Sequence, residues 1–88
     1  MKVFYNKKFL KDLSKIPGLD RLKIEEFVFE KIFTYKIPKD VIGIEKLEGY
    51  KNYYRIRFGN YRAGIHIEDD ILTFERILHR KEIYRFFP

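Results

Sequence analysis

The apolar residues of this 88-residue chain change their spacing near the middle, and this change limits the fold more than any other feature. Over about the first 35 residues they recur at the three- and four-residue intervals of a helix. From about position 52 they alternate with polar residues, as in a strand with one buried face. Because a chain this short builds one core, we expect a single α+β domain over 1–88.

Capping and turn residues delimit two helices in the first half. Lys2–Tyr5 is predicted as a short first strand, and Asn6 as the N-cap of a helix that runs to about Ile16. A Pro-Gly pair breaks this helix, and a second one is predicted over 20–35. Its expected apolar side comprises Leu22, Phe27, Val28, Ile32, Phe33 and Tyr35. The two helices form a hairpin that a sheet must cover, and 39–48 is predicted as a loop with some extended character.

The second half predicts three antiparallel strands and a tail. Asn52–Phe58 and Tyr61–Ile67 alternate in polarity and flank Gly59-Asn60, a dipeptide typical of two-residue hairpin turns. A further strand is predicted over Ile71–Leu78, and the basic, aromatic tail 79–88 is expected to form a short helix. The predicted fold is therefore β-α-α-β-β-β, with a helical hairpin packed on a mostly antiparallel four-stranded sheet.

The two-residue turn fixes which hairpin residues face each other. Position 58 should pair with 61, 57 with 62, 55 with 64 and 53 with 66, and paired residues share a face. One face is then apolar. The other face carries Tyr53, Arg55, Arg57, Arg62, Gly64 and His66. Arg57 and Arg62 are expected to lie opposite each other, and Gly64 to leave open space in which a backbone or a base could approach.

This polar face allows two interpretations. It could be an ordinary solvated face whose arginines pair with acids such as Glu75 on the next strand. Clustered guanidinium groups, however, also bind phosphate bidentately. Arg80 and Tyr84 would share one side of a tail helix at positions i and i+4, and could add to the face the aromatic ring that a stacked base requires.

The charge balance and the absent residue types narrow the classes of partner. The net charge of +6 suits nucleic acid, an anionic membrane surface or an acidic protein, although solubility alone would also explain it. The sequence has no apolar run of membrane-spanning length, no signal-peptide pattern and no cysteine. We therefore expect a cytoplasmic protein that has no disulfide bond and no membrane segment.

Three segments, taken in order, resemble the RelE branch of the RelE/ParE toxin superfamily. A leucine-glycine segment lies at Lys46–Gly49, a basic strand with a G-x-Y-R turn at Tyr54–Arg62, and an H-R-K-[DE]-x-Y tail at His79–Arg85. The resemblance covers essentially the whole chain. It implies a type II toxin that cleaves translated mRNA in the ribosomal A site without metal or cofactor, by attack of a ribose 2′-hydroxyl on the adjacent phosphate.

The resemblance also implies roles for individual residues. Arg55 and Arg57 match two basic residues that bracket the reacting nucleotide. Arg62 and Arg80 match arginines that hold the scissile phosphate, and Tyr84 matches a tyrosine that stacks on an mRNA base. Further residues expected to contact RNA are Lys46, Tyr53, Lys81 and Arg85.

One departure from the family pattern affects the expected chemistry. Well-described members carry lysines where this chain has Arg55 and Arg57, and arginine, unlike lysine, does not give up its proton in proteins. These two residues are therefore expected to stabilise negative charge rather than to act as bases. His79 is the expected proton acceptor, and His66 is the less suitable second histidine.

The resemblance further implies the ribosome, mRNA and a cognate antitoxin as partners, and the positive charge of the chain favours an acidic segment in that antitoxin. The antitoxin would act by wrapping around the toxin or by displacing its tail. Two other functions remain open at this stage. One is a ParE-type DNA gyrase poison on the same fold, and the other is a non-catalytic module that binds RNA or the ribosome.

Overall fold

The computed structural model describes residues 1–88 and contains a five-stranded sheet with helices on both of its faces. In chain order the elements are β1 (Lys2–Tyr5), α1 (Lys7–Ser14), α2 (Gly18–Phe29), β2 (Glu45–Lys46), β3 (Tyr53–Phe58), β4 (Tyr61–Glu68), β5 (Ile71–His79) and α3 (Ile83–Phe86). The strand order across the sheet is β1-β5-β4-β3-β2. β1 runs parallel to β5, and every other neighbouring pair is antiparallel. None of the helices is long and apolar enough to span a bilayer.

The predicted α+β class and the order of the main elements are confirmed, whereas the count of four strands is wrong. The additional strand is β2, which lies in the segment predicted as a loop and pairs Glu45 with Arg55 and Lys46 with Tyr54. Its two charged residues form an edge of the sheet, where charge discourages pairing with another chain. Two residues are too few to produce a recognisable alternating pattern.

The helical hairpin is shorter and less fully buried than the sequence predicts. Asn6 does cap α1, since its Oδ1 accepts from the Lys8 backbone N–H at 2.9 Å. α2 ends at Phe29, and a separate 3-10 turn covers Lys31–Thr34. Leu22 and Phe33, which were expected to face the sheet, are each 60% exposed. The main core beneath the hairpin contains Phe9, Leu13, Ile16, Ile24, Val28, Ile32, Val41, Ile56, Ala63, Ile65, Leu72, Phe74 and Ile77.

A buried ion pair joins α1 to the part of β5 that extends beyond β1. The Asp12 carboxylate accepts from Arg76 Nε at 2.7 Å and Nη2 at 3.1 Å, and from the Ile77 backbone N–H at 3.2 Å. This hydrogen bond raises the pKa of Arg76 above its ordinary value, although burial opposes the shift. Asp12 therefore satisfies a backbone donor that β1 is too short to reach.

The C-terminal tail packs on the face of the sheet opposite to the helical hairpin. Ile83 and Phe87 are buried there and form a second, small apolar cluster with Leu47, against which Tyr53 and Leu78 also pack. The tail thereby covers part of the polar face of the hairpin, and its position sets the boundary of that face.

Candidate nucleic-acid interface

The β3–β4 hairpin places three arginines on one face of the sheet. The predicted register is confirmed, since Arg55 pairs with Gly64 and Arg57 with Arg62 across the Gly59-Asn60 turn. Side chains of directly paired residues share a face, and this face is turned away from the main core. We call Arg55, Arg57 and Arg62 the arginine face.

Glu45 of β2 is the acid that faces these arginines. Its Oε1 lies 3.2 Å from Arg57 Nε and 3.6 Å from Arg55 Nε. Glu75, an acid expected to pair with these arginines, makes no ion pair in the structure. It lies between Phe74 and Arg76, which pair with Ile65 and Gly64, so a bulge leaves it without a partner in β4.

Tyr84 of α3 reaches the arginine face, as predicted. Its hydroxyl oxygen accepts from Arg55 Nη1, and its ring lies 5.9 Å from the guanidinium carbon. The hydrogen bond to Tyr84 raises the pKa of Arg55 above its ordinary value. Burial works against this, and Glu45 adds a smaller favourable effect. Arg55 thus remains a cation throughout the accessible pH range. About half of the Tyr84 side chain stays exposed.

The space beside Gly64 is filled by the tail, which corrects the expectation that it is open. A Cβ at position 64 would lie 2.6 to 2.7 Å from three ring atoms of Phe87. The same ring packs edge-on against Tyr53 at 5.6 Å. Phe87 therefore occupies the site where a base or a backbone was expected to approach, and it fixes the height of the tail above the sheet.

Arg62 and Arg80 lie next to the hairpin turn. Arg62 Nη1 donates to the carbonyl oxygens of Gly59 at 2.6 Å and Tyr61 at 3.0 Å. The Arg80 backbone N–H donates to the Asn60 carbonyl at 2.7 Å, and its side chain is exposed without a partner. Arg80 precedes α3, so the expected i, i+4 helical pair with Tyr84 does not form.

The two histidines lie apart from the arginine face. His79 pairs with Tyr61, and their rings meet edge-on at 5.8 Å on the side that carries the helical hairpin. Its Nδ1 accepts from the Lys81 backbone N–H at 3.2 Å. His66 does share the sheet face of Arg55, but its ring contacts Tyr53 at 5.0 Å and its Nε2 lies 3.4 Å from Glu68. The tail residue Phe87 packs on that same Tyr53.

The other residues expected to contact RNA occupy varied positions. Lys46 pairs with Tyr54, on the opposite side of the sheet from Glu45, and its Nζ donates to the Tyr50 carbonyl at 2.8 Å. Tyr53 is half-buried beneath the tail. Lys81 and Arg85 are exposed on the tail, where the Arg85 guanidinium lies 5.8 Å from the ring of Phe86.

Sequence reasoning missed the two residues that organise the arginine face, Glu45 and Phe87. The sequence does contain a signal for the turn that positions Glu45, namely Gly49 and Asn52. In the structure both adopt left-handed backbone angles between β2 and β3, with φ of +82° and +67°. Both are residue types that favour such turns. Together with the Leu47 N–H that donates to the Tyr53 carbonyl at 2.9 Å, they close a hairpin that aligns Glu45 with Arg55. Nothing in the local pattern signals the docking of Phe87.

The arrangement can bind a phosphate and stabilise charge on it. Three arginines share one face of the hairpin, and the exposed ring of Tyr84 contacts one of them, Arg55. Guanidinium forks match phosphate oxygens. Arginine stays protonated in proteins, His79 lies on the opposite face of the sheet, and His66, although on the same face as Arg55, contacts Tyr53 and Glu68 instead. The face is therefore suited to electrostatic stabilisation rather than to proton abstraction by its own arginines.

A family model described as the ParE toxin of the type II toxin-antitoxin system, parDE, matches residues 3–84. The chain is 46% identical over 88 residues to a protein named Toxin RelE3 from Methanocaldococcus jannaschii, and the match covers all of both chains. These comparisons cover the arginine face and the tail up to Tyr84.

Solved structures match in fold as well. A RelB-RelE antitoxin-toxin complex from Methanococcus jannaschii contains a chain that is 42% identical and superposes with a TM-score of 0.78, covering 97% of this chain and 99% of that one. In an archaeal RelE-RelB complex from Pyrococcus horikoshii the identity is 25% and the TM-score 0.67, with 93% and 97% of the two chains covered.

Proposed function

This chain belongs to the RelE-type toxins of the RelE/ParE superfamily, which act in type II toxin-antitoxin systems, and on that premise we propose that it is a ribosome-dependent endoribonuclease that cleaves translated mRNA in the A site. The observation that carries the proposal is the arginine face, with the Tyr84 ring held beside it by Arg55. A gyrase poison would have no need of an exposed aromatic ring beside three phosphate-binding groups.

The proposed reaction breaks one bond and forms one bond at phosphorus. The 2′-hydroxyl of the A-site nucleotide loses its proton, its oxygen bonds to the adjacent phosphorus, and the bond to the 5′-oxygen breaks. The products are a 2′,3′-cyclic phosphate and a 5′-hydroxyl, with a proton returned to the leaving oxygen. The phosphorane between them carries an additional negative charge, which must be stabilised.

The residues of the arginine face divide this task. Arg55 and Arg57 bracket the nucleotide and stabilise the phosphorane, while Arg62 and Arg80 beside the turn hold the non-bridging phosphate oxygens. Tyr84 stacks on a base and fixes its orientation, since its ring is exposed and rigidly placed. His79, the expected proton acceptor, lies on the other side of the sheet, and the arginines stay protonated, so we assign proton transfer to none of these residues. The ribosome contributes by holding the RNA in line for attack.

The proposed partners follow from the same premise. A cognate antitoxin with an acidic segment would neutralise the chain, whose net charge is +6. Both solved relatives described above are complexes with a RelB antitoxin. The toxin would act as one domain over 1–88, free of the antitoxin, on ribosomes that are translating.

The proposal is tested with purified chain, ribosomes and a short mRNA whose A-site codon is known. We expect new 5′ ends within the A-site codon, none on naked mRNA, and a cyclic phosphate on the upstream fragment. Arg62→Ala should lower the single-turnover rate by about 10²–10³, as removal of one preorganised charge stabiliser does elsewhere. Equal cleavage of naked mRNA, or a wild-type rate for Arg62→Ala, would refute the proposal.

A further inference from the structure

Glu45 makes a contact that the proposed catalytic role of the arginines does not explain. Its single oxygen Oε1 lies within ion-pair distance of the Nε atoms of both Arg55 and Arg57. It is positioned for this by β2, whose register places it directly opposite Arg55 and therefore on the same face. A carboxylate beside a phosphate-binding surface would be expected to weaken binding, because it repels the ligand.

The geometry of the contact indicates what the carboxylate provides. Arginine has five N–H donors in a fixed fork, and Glu45 approaches the Nε side of both forks. The outward Nη groups of Arg57 have no protein partner, and Arg57 is the most exposed of these side chains at 55%. A long, exposed side chain without an anchor samples many rotamers and loses this freedom when it binds. Glu45 restricts it beforehand while leaving the Nη donors free.

Glu45 acts on Arg55 through its charge rather than through a hydrogen bond. Arg55 Nε is buried and has no hydrogen-bond partner in the protein, and the nearest acid is Glu45 at 3.6 Å. Arg57 and Arg62 lie opposite each other, so three like charges share a small surface and tend to move apart. The negative charge of Glu45 offsets this repulsion and keeps Arg55 and Arg57 together.

We propose that Glu45 is a positioning residue, whose carboxylate holds Arg55 and Arg57 in the geometry that receives the scissile phosphate and which lowers RNA affinity in doing so. The inference rests on the proposed ribonuclease function. It predicts that removal of the carboxylate charge has opposite effects on binding and on rate. RNA binds more tightly because an anion is gone, and cleavage slows because the guanidinium groups are no longer aligned.

The test compares Glu45→Gln with Glu48→Gln, which removes one charge from an exposed residue of the same segment that makes no ion pair. Affinity is measured on ribosomes carrying an mRNA with a 2′-deoxyribose at the cleavage position, which cannot react. For Glu45→Gln we expect roughly fivefold tighter binding, the effect of one charge a few ångström away in water. The single-turnover rate on normal mRNA should fall about tenfold, since misplacing a reacting group by about 1 Å can cost about 10² in rate.

Glu48→Gln should leave the cleavage rate unchanged. Tighter binding without slower cleavage in Glu45→Gln would overturn the proposal and leave Glu45 as a repelling charge only. A parallel loss of binding, rate and thermal stability would overturn it in favour of a purely structural role. A loss of rate that greatly exceeds about 10² with unchanged affinity would identify Glu45 as the proton acceptor instead.

A readout that does not depend on cleavage separates this inference from the proposed function. The Nε–H signals of Arg55 and Arg57 in an NMR spectrum of the free protein should shift and broaden in Glu45→Gln but not in Glu48→Gln. Unchanged signals would contradict the positioning role even if the chain is a ribonuclease. If wild-type chain fails to cleave mRNA while these signals respond, the proposed function fails and the contact remains.

Discussion

Gly64 tests whether the docked tail is required for the function of the arginine face. In Gly64→Ala the new Cβ would lie 2.6 Å from Cγ and Cδ2 of Phe87 and 2.7 Å from its Cδ1, well inside van der Waals contact. The ring cannot simply rotate away, because Phe87 is only 3% exposed and packs with Leu47 and Ile83. Either the tail rises from the sheet or the strand moves.

The magnitude follows from two opposing effects. Overpacking of a well-filled site costs about 1–3 kcal/mol, whereas replacing glycine with alanine stabilises by about 0.4–1 kcal/mol through the unfolded chain. We expect a net loss of about 1–2 kcal/mol in the free energy of unfolding, measured by denaturant titration. Because Tyr84 moves with the tail, mRNA cleavage should fall about tenfold or more, in line with the loss of one base-stacking contact.

Two further variants test whether the clash with Phe87 causes the expected losses of stability and activity. Gly18→Ala adds a methyl group where no atom lies within 4 Å, so it should be at least as stable as the wild type and equally active. In Gly64→Ala/Phe87→Ala the clash is absent, so only the unfolded-chain effect of alanine remains, and this variant should be more stable than Phe87→Ala by about 0.4–1 kcal/mol. If Gly64→Ala alone retains wild-type stability, activity and hydrogen exchange in residues 80–88, the proposed role of the docked tail is refuted.

Three other changes probe separate contacts. Asp12→Asn should lower the free energy of unfolding by about 2 kcal/mol, because it removes the charge from a mostly buried pair with Arg76. A wild-type free energy of unfolding in denaturant titration would show that this pair does not stabilise the fold. Burial raises the pKa of Tyr5 above its usual value near 10, so the stability that its neutral form contributes is complete below pH 10 and is lost as the pH rises through the raised value. At pH 7, Tyr5→Phe should have a free energy of unfolding about 1 kcal/mol below that of the wild type, because it lacks the hydrogen bond to the Val28 carbonyl. Above pH 10, alkaline denaturation should lower the free energy of unfolding of Tyr5→Phe by less than that of the wild type, because phenylalanine does not ionise. Tyr84→Ala should lose about 10–100-fold in cleavage rate, and Tyr84→Phe should lose much less, because it keeps the stacking ring although it gives up the hydroxyl bond to Arg55; similar rates for the two variants would argue against stacking.

The sequence was sufficient for features that depend on neighbouring residues. The Gly59-Asn60 turn and the alternation on both sides of it are local, so the register of β3 with β4 and the shared face of Arg55, Arg57 and Arg62 were correctly predicted. Asn6 likewise caps the helix that directly follows it. The capping oxygen and the N–H that it satisfies are only two positions apart.

Features that depend on a one-residue irregularity or on distant segments were not predictable. The bulge between β4 and β5 inserts Glu75 and shifts the pairing by one residue from there to the strand end. A regular ladder continued from Ile65↔Phe74 would place His79 on the arginine face, whereas the shifted ladder places it beside Tyr61 on the opposite face. No pattern marks the bulge, and none marks the contact between Asp12 and Arg76, which are 64 positions apart.

Cleavage of translated mRNA at the arginine face is the activity proposed for this chain. Its most direct test is transcriptome-wide mapping of RNA 5′ ends in cells that express the chain without its antitoxin, compared with cells that express Arg62→Ala. We expect new ends with 5′-hydroxyl groups, in the reading frame and within coding regions, that are absent with Arg62→Ala and when initiation is blocked. Intact mRNA together with a DNA-damage response would contradict it and indicate a gyrase poison instead.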